Sequence, residues 1–185
     1  MLFLKTIMIT WMMHVMLTSN VIPFYAQFNN DKQYQVKAAF LCNFAEFVEW
    51  PESSFQHADA PIVIGVVGKD PFGPYLEEIF SGKEIRGHPL AVKRFNHKEE
   101  IRDCHILFIN VASKNKTIEI IENVKEQSIL TVSDMPGFIQ NGGIIKFITV
   151  SNKIKFQINP EASKSSNLII SSNLLQLAEI VTPNE

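Results

Sequence analysis

The chain predicts an α/β fold: a three-layer sandwich with a mixed, mostly parallel sheet, a C-terminal antiparallel hairpin and flanking helices. Three observations carry this. Ile62–Val67, His105–Asn110 and Ser128–Ser133 are short, β-rich apolar runs that end in turn residues, the pattern of strands covered on both faces. Segments with helical spacing lie between them, as a parallel sheet requires of its crossovers. Finally, Ile144–Thr149 and Lys153–Ile158 flank Ser151-Asn152, an Asn-containing turn between alternating runs, which reads as a hairpin.

The length of 185 residues fits one domain, and 46% hydrophobic with 19% charged residues is ordinary globular material. Residues 1–26 stand apart. Lys5 is their one charge, and the stretch from Ile7 to Leu17 is apolar, matching the n- and h-regions of an export leader. Cleavage after Ala26 or near Ser19 would leave a single domain over 27–185. A retained membrane anchor is the alternative, but His14 and Thr18-Ser19-Asn20 interrupt a run already short of the roughly 20 residues a span needs. Loss of Lys5 with the leader takes the net charge from −2 to −3. An exported protein cannot count on ATP or NAD, so no cofactor is expected. With no basic block, nucleic acid is not an expected partner.

Within the domain, Gln27–Asp31 is polar and reads as loose, with Asp31 able to cap the helix that follows. Lys32–Trp50 is that helix. Val36, Phe40, Phe44, Phe47 and Val48 form its apolar face, and Pro51 ends it. After a polar loop over 51–60, the first strand runs into Gly68-Lys69-Asp70-Pro71 and a helix over 74–80. Arg86-Gly87-His88-Pro89 turns into a strand over Leu90–Phe95. Ser113 caps a helix over Lys114–Glu126, in which Ile118, Ile121 and Val124 make one stripe. Asp134-Met135-Pro136-Gly137 is a strong turn signal. Asn159-Pro160-Glu161 opens a helical turn, Leu168-Ile169-Ile170 is extended, and Leu174–Val181 is helical.

No catalytic set stands out. Gly65, Gly68 and Gly73 lack the order of a phosphate loop. His57, His88, His97 and His105 are scattered, and no metal site is expected. Cys104 and His105 are neighbours on a strand and point to opposite faces, so they cannot act as a nucleophile pair. Asp70 and Asp134 both follow strands. They could converge at the carboxyl edge of the sheet as paired carboxylates, or serve as turn residues. Lys69 at the same edge would join them in holding a small ligand. Phe72 and Phe138 follow turns and are either staples over the core or, with Met135, exposed contacts for a partner. Cys42 and Cys104 could oxidise to a disulfide outside the cytoplasm, or remain two buried thiols.

Six blocks in order carry a resemblance: VKAAFLCNFAEFVEWP, PIVIGVVGKDPFG, DCHILFIN, ILTVSDMPGFIQNGGIIKF, KIKFQINPEA and LIISSNLLQLAEIV. From about Gln33 to Val181 the chain resembles the YfiR-like family of exported proteins. The resemblance implies a non-enzymatic periplasmic regulator. It would bind the extracytoplasmic domain of a membrane-anchored signalling protein, a diguanylate cyclase or a sensor kinase, and thereby affect cyclic-di-GMP and biofilm output. It also implies a homodimer and disulfide dependence. This chain departs there, because its two cysteines cannot form two intramolecular bridges and an aromatic more usually stands at Cys42. An extracytoplasmic small-ligand binding protein using Lys69, Asp70 and Asp134 is the alternative function, and a hydrolase built on the two aspartates is a third.

Overall fold

The computed structural model describes residues 22–183. The leader assigned to residues 1–26 falls outside that range, apart from its last five positions. The described residues open on a long helix, α1 (Ile22–Phe47). It runs straight through Gln27–Asp31, so that segment is not loose and Asp31 is not a cap. The local reason is that Pro23 sits in the first turn, where a proline costs no hydrogen bond, and neither Gly nor Pro follows before Pro51. None of the described helices is long and apolar enough to cross a membrane.

An eight-stranded sheet forms the middle layer. Its strands are β2 (Ile62–Gly68), β3 (Glu84–Ile85), β4 (His88–Phe95), β5 (Ile106–Asn110), β6 (Leu130–Ser133), β7 (Ile145–Val150), β8 (Lys153–Ile158) and β10 (Glu179–Ile180). The spatial order is β10-β8-β7-β6-β5-β2-β4-β3. The block β4-β2-β5-β6-β7 is parallel throughout. β8 returns antiparallel beside β7 through Ser151 and Asn152, both in the left-handed region at φ 48° and 61°. β1 (Val48–Glu49) and β9 (Ile169–Ile170) make a separate antiparallel pair. The fold class is therefore the expected α/β sandwich with a mostly parallel sheet.

Alternate residues of the central strands feed two cores. On one face Ile62, Ile64, Val66, Ile106, Phe108 and Val132 pack under α1 and α2 (Tyr75–Phe80), with Phe44, Phe147 and Phe156 closing the far end. Phe44 stacks on Phe147 at 5.7 Å and meets Phe156 edge-on at 5.2 Å. On the other face Val67, Leu107, Ile109, Phe95 and Phe138 pack under α3 (Lys114–Val124), which Ser113 caps through the Lys116 amide. Val36, expected in the apolar stripe of α1, is 45% exposed.

Three short elements complete the chain: α4 (Pro160–Ser165), α5 (Ser172–Leu177) and β10. The expected helix over Leu174–Val181 stops at Leu177. Glu179 and Ile180 leave it to pair in parallel with Gln157 and Ile158. The chain passes from β2 to β4 on one side and then to β5 on the other. The direction of winding therefore reverses between β2 and β5, and ligand crevices in open α/β sheets form at the carboxyl ends of such a strand pair.

Candidate functional site

At that reversal Gly68 and Asn110 face each other in register. Gly68 has φ 91°, and a Cβ there would sit 2.1 Å from the Asn110 carbonyl oxygen, so only glycine fits. The Lys69 amide donates to the Asn110 carbonyl at 2.9 Å, and the Asn110 side-chain amide donates to the Lys69 carbonyl at 2.7 Å. These bonds fix the floor of a cavity of about 530 Å³, lined among others by Lys69, His97, Lys98, Asn110, Ser113 and Lys116. Of the three residues expected to hold a ligand, only Lys69 is in it.

The two aspartates do sit beyond their strands, but each is held by its own cation. Asp70 accepts from the Phe72 amide at 2.7 Å and from Arg94 Nε at 2.6 Å. Arg94 also donates to the Glu77 carboxylate and, at 2.8 Å, to the Gly73 carbonyl. It thereby clasps the β2–α2 turn against β4. Its guanidinium holds Glu77 below the usual carboxylate range. Asp134 accepts from Lys37 Nζ at 2.6 Å and Tyr34 Oη at 2.8 Å. Lys37 is only 5% exposed and lies 4.2 Å from the centre of the Tyr34 ring. Burial, then the bond to Asp134, pushes the Tyr34 hydroxyl well above its ordinary value. The aspartates thus fix α2 and α1 to the sheet rather than pairing with each other.

Phe72 and Phe138 are fully buried, so of the two readings they are staples over the core, and the reading of them as exposed partner contacts is corrected. Phe72 meets Phe108 edge-on at 4.7 Å and Tyr34 at 5.5 Å. Phe138 lies so close to Gly143 that a Cβ there would come within 2.2 Å of its ring. The turns ahead of both rings aim them inward. Met135, the third expected contact, is half-buried, with its sulfur 3.8 Å from the Thr117 hydroxyl. The cysteines are free and buried, the second of the two readings open for them, and the possible disulfide is not formed. Cys42 packs into the α1 side of the sheet and Cys104 into the α3 side, with the sheet between them. Burial pushes the Cys104 thiol up to about 12.

Sequence reasoning passed over a third cluster, at the opposite, amino-terminal edge of the sheet. His105 is 4% exposed. Its ring lies 4.6 Å from that of Phe55, which stacks on His88 at 4.2 Å, and Trp50 meets it edge-on at 5.8 Å. A histidine immediately ahead of an apolar strand was the available signal. Large exposed apolar side chains are also found at Ile169, Leu177 and Ile180, near the C-terminus. Among the described residues no group of three or more His, Cys, Asp or Glu is placed to hold a metal ion.

With this geometry in view, comparison with known families is decisive. The profile described as YfiR/HmsC-like matches residues 34–179. The chain belongs to the YfiR/HmsC-like family. That span takes in both faces of the sheet, the switch-point cavity and the His105 cluster, and the family is one of regulatory proteins. No curated protein matches the chain significantly.

Proposed function

We propose that this YfiR/HmsC-like protein is an exported, non-enzymatic regulator that binds the extracytoplasmic domain of a membrane signalling protein, in the manner of an inhibitor of a diguanylate cyclase. The observation that carries the reading is the family match over residues 34–179. The carboxyl edge is in keeping with it, because its aspartates serve as structural clasps. To act at all, binding must favour one state of the partner over another, so the regulator works as a population shift and not as a blocker of a reaction centre. Met135 at the carboxyl edge is the contact we retain, with Leu177 and Ile180 as exposed apolar neighbours of the sheet's other end. The full chain used as bait on solubilised membranes should recover a cyclase or a sensor kinase. Repeated recovery of neither, from cells that make the protein, overturns the reading.

The switch-point cavity favours a second reading, a small-ligand binding protein. Lys69 and Lys116 line it together, which suits an anionic ligand. Here a ligand-dependent rise in melting temperature is expected, abolished by Lys69→Ala with little change in the melting temperature of the free protein.

A further inference from the structure

His105 is fixed in one protonation state by geometry. Its Nδ1 accepts the Val63 amide at 3.1 Å, so the ring proton must be on Nε2. That Nε2–H is buried and makes no bond of good geometry, although the Ser54 backbone of the covering loop lies near enough to favour a charged ring. A buried donor without a well-placed partner weakens the closed arrangement around it. What closes it is the loop over residues 51–60, which lies on the ring through Phe55, while Trp50 just ahead of the loop donates its indole N–H to the His105 carbonyl at 3.2 Å.

We propose that residues 51–60 form an acid-released flap, with His105 as its trigger. Protonation at Nδ1 sets an N–H against the Val63 N–H, so the one hydrogen bond that orients the ring becomes a repulsion. The ring cannot turn to relieve this without displacing Phe55, whose other face is stacked on His88. Some attraction between an imidazolium and the Phe55 face opposes release, but His88 on the far side of that ring disfavours the His105 cation. Around His105, burial disfavours the cation most, the Ser54 backbone favours it, His88 disfavours it and Asp103 favours it. Lys93 and His57 line the same cavity of about 340 Å³, and Glu52 lies with His57 and His88 along the adjoining one. Asp59 is tied to His57 at 2.6 Å, out at the surface. The charged groups along the two cavities are thus of both signs, Lys93 and Arg86 against Asp103 and Glu52. Burial already lowers the His105 pKa to about 4, which measures how strongly the closed flap excludes the cation.

The flap amides provide a readout, since Ser54 bonds to Pro51, Phe55 to Glu52 and Ala60 to His57. Hydrogen–deuterium exchange on the full chain, corrected for the intrinsic effect of pH, is followed at pH 7.5 and 5.0. Protection at these three amides is expected to fall about 30-fold at pH 5.0, the ratio set by proton binding to an open and a closed histidine. Sheet amides such as Phe108 keep theirs. His105→Gln, which cannot take up the proton, should remove the fall, and His88→Gln should only reduce it. Unchanged protection in the unaltered protein, or the same fall in His105→Gln, overturns the proposal. Should His105→Gln not fold, titration of the native imidazoles by NMR decides. Opening of the flap amides with the same pH midpoint as the His105 ring upholds it, and flap amides that stay protected while the ring titrates overturn it.

Discussion

Single side chains in this protein show their role by what their removal would strand. Lys37 is buried against Asp134, whose own side chain keeps 20% of its surface in water. Asp134→Asn leaves an ammonium in the core facing a neutral amide. Removing one partner of a buried pair is costly, and with Asp134 partly hydrated the expected loss is about 2–3 kcal/mol in urea unfolding. Lys37→Met should cost less, because the aspartate left behind can still be solvated. Gly68→Ala meets both a φ of 91° and the Asn110 carbonyl, and should lose about 2–4 kcal/mol. His105 adds a pH dependence to global stability. Its folded pKa lies below its unfolded one, so between about pH 6.5 and pH 4 the unfolded chain binds more protons than the native one. Stability contributed by the neutral ring is whole above that window and is lost as pH falls through it, on the order of 3 kcal/mol in all. Denaturant midpoints measured across the window, with His105→Gln as the flat control, check the sign.

Among the secondary-structure elements, what could be read from the residues and what could not separates by how each is stabilised. β2, β5 and β6 were legible because continuous apolar runs bounded by turn residues need only their own composition to declare them. The hairpin was legible because Ser151-Asn152 can take up the left-handed turn locally. β1 and β10 were not, since two residues become a strand only by virtue of the partner lying beside them, whereas the apolar run Leu168–Ile170 did read as extended and holds β9. The same limit explains Phe72 and Phe138. Their positions after turns were plain, but whether a turn aims a ring in or out depends for Phe72 on Phe108 and Tyr34, both distant in sequence, and for Phe138 on how its turn folds back onto Gly143. The cysteines depended likewise on which face of a sheet each element covers. That placement makes an expectation for α1 and β5. Intact mass without reductant should show two free thiols, and native alkylation should label Cys42 ahead of Cys104, whose thiol is the more deeply protected. A bridged species, or faster labelling of Cys104, would mean that the two sides of the sheet are not as separate as the packing makes them.

At the scale of the molecule, the carboxyl edge does two jobs that a cellular assay would confuse. Phe72 and Met135 lie within one region of that edge, yet one ring is buried in the core and the other side chain is half-exposed. Phe72→Ala should lose about 3–5 kcal/mol, enough on its own to unfold a domain of marginal stability. Regulation would then fail through loss of protein, with no contact to the partner involved. Met135→Asp should leave unfolding within about 1 kcal/mol of the parent, as surface changes do. If the carboxyl edge meets the signalling partner, that same substitution should weaken binding at least tenfold, because a desolvated carboxylate at an apolar contact is poorly tolerated. The measurement is therefore a pair: partner affinity by titration against the melting curve of the same preparation. Affinity lost at unchanged melting places the interface at this edge. Affinity retained in Met135→Asp moves it away, and the exposed Leu177 and Ile180 become the next positions to change, since there too the native fold does not depend on the side chain that water already covers.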